Sequence, residues 1–326
     1  MHSVEEIKNG VYWMGCNDFL TPLFERIFPI PDGVSYNSFF IDDEKTCVLD
    51  AMDKVCRDEF LEDVEYLLHG RQLDYFIIQH MEPDHASSAL ALVEKYPNVK
   101  IVGQAQTFKF FEQFYSEDYK ANYMTVTEGD QLDLGKHKLQ FIKAPMVHWP
   151  EVIMTYDLTD KILFSADAFG MFGTVGNIFA DQVEYEEEYL DEARRYYVNI
   201  VGKYGAQVMA VLKKASGLQI DYICPIHGLV FRTPETIQYI IEKHLHWAQY
   251  VPEKKGVVIA FASIYGDTAR AACVLANKLS KAGVHNVMMY DVSKVHPSYI
   301  NAKAWEYSHL VLAAPTYNLN LFLPME

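Results

Sequence analysis

The chain has 326 residues, half of them hydrophobic, which suits two domains and a sizeable core. Acidic residues outnumber basic ones by 44 to 28, and the net charge of −16 argues against nucleic acid and anionic membrane surfaces, both of which would repel it. No apolar run approaches the ~18 residues needed to cross a membrane, and Met1-His2-Ser3-Val4-Glu5-Glu6 carries no signal-like segment. A cytoplasmic protein is therefore expected.

Taken in chain order, residues 11–14, 35–41 and 46–50 read as strands. Residues 54–69 read as an amphipathic helix with Phe60, Val64, Leu67 and Leu68 on one face. A helix over 86–96, a strand over 99–103 and a helix over 104–115 follow, and then strands with tight turns from 125 to 163. Residues 185–204, 207–216 and 233–250 read as helices, the last closing a first domain over 1–251. Pro252-Glu253-Lys254-Lys255 reads as a linker and 256–326 as a second domain. There is no internal repeat. Glu184, Glu186, Glu187 and Glu188 read as a solvated face. His244 and His246, two apart on a helix, cannot both face one ion.

The most informative segment is His80-Met81-Glu82-Pro83-Asp84-His85. Four potential metal ligands fall within six residues, directly after the buried-strand run Tyr75-Phe76-Ile77-Ile78. Two imidazoles and two carboxylates so close suggest two cations. Three more candidates, His148, Asp167 and His227, each follow a short apolar stretch at a turn. Singly, Asp167 could cap a helix and either histidine could be a hydrogen-bonded core residue. Together, the spacing resembles that of a metallo-β-lactamase-like domain. Zinc hydrolases of that superfamily usually carry His-x-His-x-Asp-His, and here Glu82 replaces the second histidine. A hard, charged oxygen donor favours iron over zinc. Glu82, Asp84 and Asp167 bring three negative charges, so two ferrous ions and a bridging hydroxide give a neutral site.

With that pattern the chain resembles the flavodiiron proteins, which reduce O2 to water or NO to N2O. The resemblance covers almost the whole sequence. It implies an α/β protein, a metallo-β-lactamase-like αββα sandwich followed by a flavodoxin-like doubly wound domain. It implies two non-haem irons: one held by His80, Glu82 and His148, the other by Asp84, His85 and His227, with Asp167 between them. In some relatives the histidine equivalent to His85 turns away. It also implies FMN, an electron donor such as rubredoxin or a flavin-reducing protein, and a head-to-tail homodimer or tetramer in which the flavin of one subunit serves the irons of another.

The second domain supports this reading from its own residues. The strand run Gly256 to Ala262 leads into Ser263-Ile264-Tyr265-Gly266-Asp267-Thr268, and a helix follows from Ala269 to Lys281. Backbone N–H groups, hydroxyls and a helix start suit a phosphate. Further strands are expected at 287–290 and 310–314. Pro315-Thr316-Tyr317-Asn318 then fits a loop against the flavin ring, at the end of a strand where a ligand crevice forms. The flavodoxin-like part spans 256–326, about half of a five-stranded unit, so a fragment or truncated product is expected.

The five cysteines are Cys16, Cys47, Cys56, Cys224 and Cys273. None forms a C-x-x-C pair, so buried reduced thiols are expected and a rubredoxin-type iron site is not. Two alternative readings remain: a metal-dependent hydrolase of the same fold using a metal-bound hydroxide, and a metal-binding remnant without turnover.

Overall fold

The structure, a computed structural model, describes residues 2–326. Apolar residues alternate or run continuously along the first strands, and these assemble into a seven-stranded sheet. Its order is Val4–Lys8, Val11–Asp18, Val34–Ile41, Cys47–Leu49, Tyr75–Ile77, Lys100–Gly103 and Tyr123–Thr125. A second, five-stranded sheet runs Gln131–Asp133, Lys138–Lys143, Ile153–Asp157, Ile162–Phe164 and Tyr222–Cys224. The inner faces pack Phe39, Leu49, Ile77 and Val102 against Leu139, Phe141, Phe164 and Cys224, all fully buried. Helices such as Arg57–Leu68 and Pro234–Ala248 bury their apolar stripes on the outer faces, giving the αββα sandwich.

Helix starts follow their sequence signals. Thr233 caps Pro234–Ala248, its side-chain oxygen accepting the Thr236 N–H, with proline at the first position. The expected helix over 185–204 is broken. Leu190–Tyr196 widens into a π turn over Tyr197–Val201 and tightens over Gly202–Tyr204. The expected helix over 86–96 splits into Pro83–Ala86 and Ala89–Lys95.

The C-terminal sheet has three parallel strands, Lys254–Phe261 in the centre with Val287–Asp291 and Tyr307–Ala313 on either side. The helix Asp267–Lys281 joins the first two, and Pro297–Glu306 leads into the third. The expected linker is therefore corrected. Lys254 and Lys255 already belong to the central strand. Glu253 is half of a buried ion pair that closes the segment onto the sandwich. Arg194, 1% exposed at its side chain, pairs with Glu253 at 2.5 Å and lies 3.7 Å from Glu306. Lys243 pairs with Glu253 at 2.6 Å, and Lys254 with Glu306 at 2.7 Å. Trp247 Nε1–H also donates to Glu253 at 2.9 Å.

The expectation for the cysteines is also corrected. Cys16 and Cys56 form a disulfide, with Cα atoms 6.0 Å apart across 40 residues of sequence. The Val11–Asp18 strand and the start of the Arg57–Leu68 helix bring them together, and nothing in their spacing signals it. Cys47 and Cys224 are buried and free, as expected, while Cys273 is exposed.

Removing Glu253 takes from the buried Arg194 guanidinium the carboxylate at its Nε and leaves it only Asp191 at 2.5 Å and Glu306 at 3.7 Å. Glu253→Ala is expected to cost about 3–5 kcal/mol, read as a lower midpoint in chemical denaturation. A change below about 1 kcal/mol would show that Arg194 is well solvated without it.

Candidate metal centre

Parallel pairing decides where the candidate ligands sit. Ile162–Phe164 and Tyr222–Cys224 are parallel neighbours with Phe164 opposite Cys224. Asp167 and His227 each lie three residues past those ends and so share a level. His80 lies three residues past the end of Tyr75–Ile77. His148 sits in the turn between Lys138–Lys143 and Ile153–Asp157. Asp84 and His85 lie on the one-turn helix Pro83–Ala86, with Glu82 just before it.

These seven side chains form two adjoining groups. His80, Glu82, His148 and Asp167 bring one ligand atom each within 4.8 Å of one another, and Asp84, His85 and His227 do the same. Glu82 Oε2 lies 2.9 Å from His148 Nε2 and 3.2 Å from His80 Nε2. Asp84 Oδ2 lies 3.1 Å from His85 Nε2 and 3.2 Å from His227 Nε2. Asp167 stands between the groups. Its Oδ2 is 3.4 Å from His80 Nε2 and 3.9 Å from His148 Nε2, whereas its Oδ1 is 3.6 Å from His85 Nε2 and 3.8 Å from His227 Nε2. His85 turns into the group, its Nε2 2.9 Å from that of His227.

Two histidines are aimed by their other nitrogen. His80 Nδ1–H donates to Glu151 Oε1 at 2.8 Å, and His227 Nδ1–H to the Ser35 carbonyl at 2.8 Å. Each leaves an Nε2 lone pair facing the cluster, as metal-bound imidazoles require. Tyr196 O–H donates to Asp167 Oδ1 at 2.6 Å. The His227 loop is pinned by Asn37, whose Nδ2 donates to Pro225 O and Gly228 O at 2.9 Å. Gly228 has φ +81°, and a Cβ there would lie 2.3 Å from Met171 Cγ, so glycine is required. Asp50, Met146, Ala166 and Phe169 hold left-handed backbone beside the ligand loops. Such strain concentrates at sites that the surrounding structure overdetermines.

The electrostatics favour cations. Both Asp84 oxygens and Asp167 Oδ2 are buried without a hydrogen-bond partner. Burial alone would raise the Asp167 carboxyl, but His80, His85 and His148 hold it well below the usual carboxylate range. Burial likewise opposes the charge on His85, yet Asp84 and Asp167 push it up to about 10. Buried carboxylates with vacant lone pairs and imidazoles with Nε2 turned inward fit two hard-to-borderline ions.

The site also uses residues that the sequence did not single out. Glu151, Ser35, Asn37 and Tyr196 all come from outside the ligand motifs, and only their positions in the fold identify them. Glu25, in the turn between Leu23–Phe24 and Phe28–Pro29, lies at the exposed rim of the site, where partial desolvation and its contact with Glu82 push its carboxyl up to about 9. Trp149 packs its ring 5.1 Å from His80, edge-on, so it lines the site as well as the core. The acidic run at Glu184 and Glu186 to Glu188 is exposed, as expected. His244 is buried behind the site, its Nε2 accepting the Phe169 N–H at 3.2 Å, while His246 is exposed.

The flavin-type loops lie together at one end of the three-stranded sheet. Phe261 pairs with Ala313, and Ala262 N–H donates to Ala313 O at 2.9 Å. Past these ends come Ser263 to Thr268 and Pro315 to Asn318. Gly266 takes φ +99°, and its N–H donates to Ser263 Oγ at 3.1 Å, closing a turn before the helix that begins at Asp267. Ile264 and Tyr265 point to solvent. Thr316 and Tyr317 pair with Leu321 and Asn320 in a tight hairpin around Asn318.

Comparisons with known proteins agree with this geometry. The family model described as "ODP family beta lactamase" matches residues 34–228. The rubredoxin-oxygen oxidoreductase of Megalodesulfovibrio gigas is 30% identical over 323 residues, covering 98% of this chain and 79% of that protein. The chain belongs to the flavodiiron family. The structure of the Desulfovibrio gigas rubredoxin oxygen:oxidoreductase superposes with a TM-score of 0.93 at 28% identity, over 99% of this chain and 80% of that one. The flavodiiron protein of Giardia intestinalis superposes at 0.92 and 28% identity, over 99% and 78%. The anaerobic nitric oxide reductase flavorubredoxin of Vibrio vulnificus is 31% identical, covering 98% of this chain. This flavodiiron chain spans 64% of the flavorubredoxin's length, less than two thirds. Among the described residues, no helix is long and apolar enough to cross a membrane.

If Asp167 serves both groups, Asp167→Ala should remove both ions together, taking metal content from about two per chain to near zero. Loss of one ion with retention of the other contradicts it. A second expectation concerns His244, whose folded pKa burial lowers to about 4. The unfolded chain binds that proton below pH ~6.5 and the folded chain does not. Stability should therefore fall as pH drops from 6.5 to 4, by on the order of 3 kcal/mol. Denaturation of wild type and His244→Gln across this range checks it, since only the variant should lack this component.

Proposed function

We propose that this chain is the diiron and flavin-bearing part of an oxygen or nitric oxide reductase, taking electrons from a rubredoxin-type or flavin-reducing donor. One observation carries the reading: Asp167 presents one oxygen to His80 and His148 and the other to His85 and His227. His80, Glu82 and His148 would hold one iron and Asp84, His85 and His227 the other, with Asp167 shared between them. When bound, two ferrous irons would supply Lewis acidity and two electrons, enough to reduce two NO to N2O and water, whereas reducing O2 to two waters takes two further electrons from the reduced flavin or donor.

The chain's own groups organise that chemistry. Glu151 and the Ser35 carbonyl fix the tautomers and planes of His80 and His227. The Tyr196 hydroxyl fixes the orientation of the Asp167 carboxylate. Phe24, Tyr36 and Tyr196 place their rings within 5.5 Å of the His227 ring, which excludes bulk water from that side. Glu25 stands at the exposed rim beside Glu82, placed to pass protons between solvent and the site.

The adjacent loops of the C-terminal sheet would hold FMN, with Ser263, Ile264, Tyr265, Gly266, Asp267 and Thr268 offered to its phosphate and Pro315, Thr316, Tyr317 and Asn318 to its ring. A head-to-tail dimer, alone or within a tetramer, supplies the electron path. Phe19, Leu20 and Ile27 are 72%, 83% and 56% exposed on the segment whose Phe24 packs against His227. That apolar segment, and the exposed Tyr265 and Leu319 beside the loops of the C-terminal sheet, are the kind of surface that a second copy would cover.

The iron-loaded, flavin-loaded protein should consume O2 or NO under a reduced donor, with specific activity falling on dilution below the dimer constant. Glu151→Ala, which touches no ion, should lower turnover about 10–100-fold by releasing His80. Two zinc ions per chain and no gas consumption would reject the reading.

A further inference from the structure

A third group of donors lies at the other end of the five-stranded sheet. His137 precedes Lys138–Lys143 and Asp160 precedes Ile162–Phe164, whereas His148 and Asp167 follow those same strands. The longer strand, at ~3.4 Å per residue, sets the two ends roughly 20 Å apart. Asp157 completes the group from the end of Ile153–Asp157.

Each donor is aimed by a bond made through its other polar atom. His137 Nε2–H donates to the Asn9 carbonyl at 3.1 Å. Asp157 Oδ1 accepts the Thr159 N–H at 2.9 Å. Asp160 Oδ1 accepts Asn9 Nδ2–H at 2.8 Å. What remains is His137 Nδ1, 2.7 Å from Asp157 Oδ2 and 3.8 Å from Asp160 Oδ2. One ligand atom from each of the three residues lies within 4.8 Å of the others. The three are buried, and Asp160 Oδ2 has no hydrogen-bond partner although Asp160 is only 7% exposed.

Charge and distance both suit a small divalent cation. Asp43, whose Oδ2 accepts the His137 N–H at 2.7 Å, adds a third carboxylate. Lys8 Nζ, 3.8 Å from Asp160 Oδ1 and 4.0 Å from Asp221 Oδ2, is shared between two carboxylates at the edge of the group. The two carboxylates that offer a ligand atom, Asp157 and Asp160, with a neutral imidazole, match the charge of one divalent ion. Tetrahedral zinc with nitrogen and oxygen ligands at about 2.0–2.2 Å needs its donors ~3.3 Å apart. The 2.7 Å and 3.8 Å separations straddle that value.

We propose that His137, Asp157 and Asp160 form a structural divalent-cation site of the zinc type, separate from the candidate diiron centre. It would staple the Asn9 turn of the seven-stranded sheet to two turns of the five-stranded sheet. The proposal does not depend on the reductase reading. Its competitor is a doubly hydrogen-bonded imidazolium in which His137 donates Nδ1–H to Asp157.

The test is equilibrium dialysis of the iron-loaded chain against Zn2+, with metals counted by mass spectrometry. One zinc per chain is expected in addition to the iron, with iron content unchanged. Asp160→Asn, which keeps the side-chain shape, should weaken that zinc at least about tenfold without changing iron content. Absence of zinc beyond any that displaces iron, or equal binding by Asp160→Asn, overturns the proposal in favour of the imidazolium. Zinc-edge X-ray absorption of the wild type decides independently if the variant fails to fold. A first shell with one imidazole and oxygen donors is expected, and a shell without imidazole overturns the site.

Discussion

Three carboxylates and four imidazoles share one buried volume, and the rest of the structure is arranged around that fact. Glu82 and Asp167 are buried and Asp84 nearly so, and Asp84 and Asp167 hold oxygens that no hydrogen bond satisfies. Burying such groups is costly unless opposite charge reaches them. Imidazoles turned inward by Glu151 and Ser35 meet part of that need, and metal ions meet it fully. The same convergence that makes the site expensive for an empty fold therefore makes it a strong cation trap.

The sandwich supplies the rigidity that this convergence requires. Asp167 and His227 ride on paired parallel strands whose register is fixed, and His80 leaves a strand buried on both faces. Left-handed residues at Asp50, Met146, Ala166 and Phe169 then turn the chain sharply at the strand ends. Their strain is held by bonds such as Phe169 N–H to His244 and Gln79 N–H to Asp50. The C-terminal sheet is tied to the same body through Arg194, whose helix also carries Tyr196 to Asp167. One helix thus anchors the flavin-type segment at one face and orients the shared carboxylate at another.

Much of the site was legible in the sequence because it is encoded locally. His80 to His85 form a compact motif, and His148, Asp167 and His227 each follow a readable strand. The three parallel C-terminal strands were legible for the same reason, being continuous apolar runs bounded by turns. What was not legible depends on long-range pairing. The Cys16–Cys56 disulfide spans 40 residues. Glu151 reaches His80 across 71 residues, and Ser35 reaches His227 across 192. No spacing rule connects such pairs. The supposed linker failed at Glu253 and Lys254 because charged residues look solvated until a buried arginine is found beside them.

The central claim is that seven side chains gather two irons around one shared carboxylate. Diffraction from iron-loaded crystals at the iron absorption edge tests it most directly. The account predicts two anomalous peaks per chain about 3.5–4 Å apart, one beside His80, Glu82 and His148, the other beside Asp84, His85 and His227, with Asp167 touching both. A single peak, or two peaks with Asp167 bound to only one, would contradict it.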